Sequence, residues 1–143
     1  MINESNKKVV DYLSELIKKI EKIYSLNCVI LFGSQARGDF ESYSDIDLVL
    51  IGDFKEKFTK RGDLLYEKHN WKWGLDAFCY TPQEFDDIFS MGIVSILDAI
   101  DEGICLLGED FFELYKAKLE ILKNRGLRKD PPVWILPKSM KVD

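Results

Sequence analysis

Leu31-Phe32-Gly33-Ser34-Gln35-Ala36-Arg37-Gly38, followed after six intervening residues by Asp45-Ile46-Asp47-Leu48-Val49-Leu50-Ile51, decides how this chain folds. The first stretch closes the apolar run Cys28–Phe32, short and rich in strand formers, which reads as a buried strand ended by Gly33. Ser34–Ser44 is polar and carries turn formers, and the chain then re-enters a strand over Asp45–Ile51, closed by Gly52-Asp53. Side chains in a strand alternate between faces, so Asp45 and Asp47 emerge side by side.

Upstream, Val9/Val10, Leu13, Leu16/Ile17, Ile20 and Ile23/Tyr24 recur at helical spacing, predicting an amphipathic helix over Lys7–Ser25 with Ser5 and Asn6 as caps. Downstream, residues 55–70 have helical spacing weakened by Gly62, and Trp73–Tyr80 reads as a third strand. Thr81-Pro82-Gln83-Glu84 starts a helix that breaks near Gly92 and resumes through Ile93–Ile100. Ile104–Leu107 reads as an edge strand, and Glu109–Asn124 as the last helix, with Gly126 just past its end.

Helices alternating with about four short strands give one α/β domain over residues 1–126. Residues 127–143 form an extended, proline-containing tail, a candidate docking segment. Leaving Trp134-Ile135-Leu136 in water costs about 1.5–3 kcal/mol per side chain, so these residues should pack on this domain, on a second copy or on a partner.

The chain has 143 residues with net charge −5, enough for a single packed core. Residues 1–122 hold 14 Lys/Arg against 23 Asp/Glu, whereas residues 123–143 hold 6 against 2. So acidic a body lacks the broad basic face that nucleic-acid binding requires, while the basic tail suits an acidic partner. No apolar run is long enough for a membrane span or a secretory leader, so the expected compartment is the cytoplasm. Cys28, Cys79 and Cys105 are dispersed, which predicts buried reduced thiols rather than a disulfide framework or zinc site. The single histidine, His69, is expected exposed at a helix end.

Adjacent carboxylates repel, and a hard divalent cation with oxygen ligands, Mg²⁺ or Mn²⁺, relieves them. Asp76 is the lone acid in an apolar strand, and on an adjacent strand it would complete a three-carboxylate set able to hold two metals about 4 Å apart. Gly33 lets a phosphate approach the backbone, the Ser34 hydroxyl can donate to it, and Arg37 can reach it as a cation. Asp39 and Phe40 follow Gly38 where a P-loop needs Lys and Ser/Thr, so this is not a P-loop.

Gly33-Ser34, ten residues, Asp45-x-Asp47 and the later Asp76 resemble the polymerase-beta-type nucleotidyltransferase superfamily. The strings Gly-Ser-Gln-Ala-Arg-Gly and Ser-Asp-Ile-Asp-Leu look most like its minimal nucleotidyltransferase (MNT) branch, which includes MntA-like antitoxins encoded beside HEPN-domain toxins. The resemblance covers about residues 10–107. It implies a nucleotidyltransferase fold, a short mixed β-sheet flanked by helices. It also implies transfer of a nucleoside monophosphate from ATP or another NTP to an acceptor hydroxyl, with release of pyrophosphate. Carried over, Gly33 and Ser34, with Arg37, Gly38 and Ser44 around them, hold the triphosphate. Asp45 and Asp47 ligate two Mg²⁺ (or Mn²⁺) ions, and Asp76 ligates the catalytic one and assists deprotonation of the acceptor. The implied partners are the NTP and a HEPN-domain protein whose tyrosine accepts the nucleotide. A second copy of the chain is the other source of an acceptor site, because the additional helical domain of larger relatives has little room here.

Simpler readings stand beside these. Asp-x-Asp also begins solvated strands, Ser34 also caps helices, and Ser44 also orients Asp45. Arg37 also pairs on the surface with Asp39 or Glu41, and Trp71 and Trp73 also pack in cores. As a whole, the chain also fits a non-catalytic module that occludes its partner, or a small-molecule transferase of the aminoglycoside-modifying kind.

Overall fold

The computed structural model describes residues 4–38, 45–70 and 74–143. At its centre is a mixed four-stranded sheet in the order β3-β2-β1-β4. β1 (Leu26–Phe32) lies antiparallel to both β2 (Ile46–Gly52) and β4 (Ile104–Leu107), and β2 runs parallel to β3 (Leu75–Tyr80). The central strands are apolar throughout because both of their faces are covered. Val29, Leu31, Leu48 and Leu50 meet α1 (Glu4–Glu21) and Leu65 of α3 (Asp63–Lys68). Cys28, Ile30, Phe32, Val49 and Ile51 meet α4 (Pro82–Ser90), α5 (Val94–Glu102) and α6 (Glu109–Asn124) on the other side.

A parallel pair cannot be joined by a tight turn, so residues 53–74 cross over from the end of β2 to the start of β3. Gly62 divides this connection into a single 3₁₀ turn at Phe58–Lys60 and α3, rather than one continuous helix. The connection is fastened where β3 ends. The Thr81 hydroxyl accepts from the Glu84 amide at 3.3 Å, and the Glu84 carboxylate accepts from the Thr81 amide at 2.8 Å, forming a capping box. The same carboxylate takes two bonds from the Arg61 guanidinium, at 2.5 and 3.3 Å, and Arg61 also donates to the Glu56 and Cys79 carbonyls. These bonds satisfy a guanidinium that is only 9 % exposed.

Several elements differ from the sequence reading. The first helix begins at Glu4, so Ser5 and Asn6 lie inside it rather than capping it. Asn6 is fully buried and donates to the Ala36 carbonyl at 3.4 Å, which joins α1 to the short helix α2 (Ser34–Arg37). His69 sits at the end of α3 but is half-buried, its Nδ1 2.6 Å from the Tyr12 hydroxyl. Trp71 and Trp73 lie outside the described residues.

Past α6 the chain forms a hairpin, β5 (Arg128–Asp130) against β6 (Val133–Ile135), turning at Pro131-Pro132. Trp134 is 7 % exposed within the α4–α6 core, and its indole N–H donates to Asp98 of α5 at 2.9 Å. Of the three places left open for this apolar segment, Trp134 takes its own domain. Leu136 and Val133 remain largely exposed. All three cysteines are free thiols, with Cys28 and Cys79 buried and Cys105 partly so. Among the described residues, no helix is long and apolar enough to cross a membrane.

Candidate active site

At the end of β1 the chain turns through Gly33 with φ 76° and ψ −159°, a conformation essentially restricted to glycine. A side chain there would also collide with the Asp47 carboxylate, so the turn needs glycine for two independent reasons. Ser34 opens α2, a single turn long. Gly38 ends it in the left-handed conformation, its amide donating to the Ser34 carbonyl at 2.9 Å. Gly38 therefore shapes the turn.

The register of the parallel pair sets Asp47 beside Asp76 on neighbouring strands. In such a pair the backbones run about 4.8 Å apart. Directly before β2, the Ile46 amide bonds the Gly74 carbonyl at 2.9 Å, which seats Asp45 against Gly74. A methyl group at Gly74 would lie 2.5 Å from Asp45 Oδ1. Asp45, Asp47 and Asp76 thus share one end of the sheet, with Asp47 against the Gly33 turn. Gly74 went unread in the sequence, although a glycine two residues before a strand aspartate was a usable sign of close approach.

The electrostatics follow from this placement. Burial, together with the negative charges of Asp76 and Asp45, pushes the Asp47 carboxyl up to about 6 against the opposing charge of Arg37. Among the described residues, no three acidic, histidine or cysteine side chains are gathered tightly enough to enclose a metal ion. The three carboxylates share a face without converging on one point. The chemistry of the three carboxylates, all oxygen donors with several negative charges, fits hard divalent cations, and Asp47 and Asp45 pack where side chains at Gly33 and Gly74 would otherwise stand.

Arg37 pairs with α5, its Nη1 3.1 Å from Glu102 Oε1. A cleft of about 410 Å³ opens there, lined by Arg37, Asp98, Glu102, Lys129, Pro131 and Pro132. Asp39, Glu41 and Ser44 lie outside the described residues. Phe78, two residues after Asp76 and on the same face of β3, is 37 % exposed with its ring against Phe32, so an apolar floor adjoins the acids.

Comparison with known proteins bears on the fold and the family. The sequence matches the family described as Nucleotidyltransferase domain over residues 7–130. No curated protein matches the chain in sequence. Among solved structures, a toxin–antitoxin structure with AMP-PNP is similar at 19% identity and TM-score 0.57, over 78% of this chain and 86% of that one. A mutant of the toxin–antitoxin pair MntA-HpeT is similar at 15% identity and TM-score 0.56, over 80% and 86%. A Sulfolobus solfataricus protein provisionally assigned as a nucleotidyltransferase is similar at 19% identity and TM-score 0.51, over 71% and 82%. At these identities the likeness is one of fold, while the family match spans most of the chain: this chain belongs to the nucleotidyltransferase domain family.

Proposed function

We propose that this nucleotidyltransferase moves a nucleoside monophosphate from an NTP, ATP first among them, to a hydroxyl on a protein partner. On this reading it is the antitoxin of a toxin–antitoxin pair and modifies a tyrosine of a HEPN-type toxin in the cytoplasm. The observation that carries the chemistry is the alignment of Asp47 with Asp76, flanked by Asp45 and facing the Gly33 turn. The partner rests on the fold likeness to toxin–antitoxin structures.

Asp45, Asp47 and Asp76 would hold two Mg²⁺ or Mn²⁺ ions, which when bound neutralise phosphate charge and lower the pKa of the attacking hydroxyl. Asp76, at the exposed start of β3, accepts the proton of that hydroxyl. Ser34 donates to the triphosphate, and the side-chain-free backbone at Gly33 lets phosphate oxygens come close. Arg37 adds positive charge on the side of the leaving pyrophosphate.

Incubation with α-labelled ATP, Mg²⁺ and the product of the neighbouring gene tests the reaction. Label is expected on a tyrosine of that product, and its absence beside a working control enzyme counts against transfer. One observation favours a simpler role: Met91, Ile93, Val133 and Leu136 are exposed apolar residues around the α4–α5 turn and the hairpin, as partner contacts would be. Asp47→Asn separates the two roles, because neutralisation by occlusion survives it and neutralisation by transfer does not.

A further inference from the structure

Glu102, the last residue of α5, is shared by two cations. One is Arg37 of α2, at 3.1 Å, and the other is Lys129 of the C-terminal hairpin, at 3.6 Å. Lys129 is anchored in turn by Asp98, one helical turn earlier, at 2.9 Å. The same Asp98 oxygen accepts the indole N–H of Trp134, the residue paired with Lys129 across the hairpin, and the Lys129 ammonium lies 5.6 Å from that ring. A continuous polar chain therefore runs from the buried hairpin residue Trp134 through Asp98, Lys129 and Glu102 to Arg37. Arg37 also acts electrostatically on Asp47.

We infer that Glu102 is a positioning residue that competes with the triphosphate for Arg37, and that Lys129 of the hairpin sets how strongly it competes. This inference rests on the proposed nucleotide chemistry and adds a control to it. Glu102 carries one negative charge and faces two positive ones. When Lys129 engages it, less of its attraction falls on Arg37, and the guanidinium is freer to turn to phosphate. Remove Lys129, and Arg37 is held more firmly. Such a partly exposed pair is strong enough to bias a side chain and weak enough for a polyphosphate to outcompete.

Glu102 and Lys129 give opposite signatures, which a merely structural role for these residues would not. In calorimetric titration of the full chain with ATP and Mg²⁺, Glu102→Gln is expected to tighten binding by about threefold and Lys129→Met to weaken it by about twofold. The double substitution should bind like Glu102→Gln alone, since Lys129 acts only through that carboxylate. Melting curves of each variant separate loss of folding from loss of control, and Lys129→Arg should restore wild-type affinity. Shifts of the same sign in both single variants, no shift in Glu102→Gln, or additive effects in the double variant overturn the inference while leaving the proposed function standing. A wild-type protein that binds no ATP under these conditions overturns both.

Discussion

Two carboxylates stand near opposite ends of β3 and meet opposite fates. Glu84, just past the strand's end, accepts from Arg61 twice and from the Thr81 amide, and these bonds hold its carboxyl down at about 2. Asp47, beside the strand's start, is half-buried among Asp76 and Asp45 and is pushed up to about 6. The fold supplies a guanidinium to one acid and more acids to the other. Where a chain needs only to be stable it pairs its own charges. A cluster of acids left to repel one another points to a cation from outside.

The sharpest way to break this contrast is Asp47→Asn. Transfer to the acceptor should fall by about a thousandfold, roughly 4 kcal/mol of barrier, in a single-turnover assay. The same variant should melt about 2–4 °C higher than wild type when both are metal-free at neutral pH, because a source of repulsion is gone. A variant that loses activity and melts lower would mean that the carboxylate supports the fold, as Glu84 does.

Glu84→Gln should do the reverse. It leaves Asp45, Asp47 and Asp76 untouched but strips a buried guanidinium of its counter-charge and weakens a helix cap. Stability should fall by about 2 kcal/mol in urea denaturation, with transfer per folded molecule unchanged.

The smallest effect is in pH. Glu84 titrates at about 2 instead of 4.5, so its contribution is present above about pH 4.5 and is lost as pH falls toward 2. Asp47 titrates at about 6 instead of 3.8, so its ionisation is free of penalty in the unfolded chain but costs the folded one, and stability declines as pH rises from about 4 to 6. The metal-free protein should therefore be most stable between about pH 4 and 5. Asp47→Asn should remove the decline on the alkaline side, and millimolar Mg²⁺ should remove it in the wild type by favouring the ionised form. A profile rising steadily to neutrality would sink this assignment.

Much of the fold was legible because its signals are local. Glu109–Asn124 is a helix over the expected residues, Ile104–Leu107 is the expected edge strand, and Thr81-Pro82-Gln83-Glu84 starts its helix as the cap chemistry requires. The errors came from long-range packing. Asn6 looks like a cap by type, yet it is buried because α2, thirty residues on, presents a carbonyl to it. The extended backbone expected after Leu127 is found at Arg128–Asp130 and Val133–Ile135, although the pairing of the two segments across Pro131-Pro132 was not read from the sequence. At the site, Asp45 and Asp47 were readable as same-face neighbours from their spacing alone. The alignment of Asp47 with Asp76, the close approach at Gly74 and the reach of Glu102 to Arg37 all depend on register and on how α5 lies over the sheet, which no short window of sequence contains.

The hollow beside Asp45 is made by what residue 74 lacks. A single methyl at Gly74 would displace that carboxylate without adding or removing any charge of the chain. One alanine there would turn the protein into a silent likeness of itself, equal in charge and nearly equal in surface. Such a decoy could be seated on any partner to ask what docking alone accomplishes.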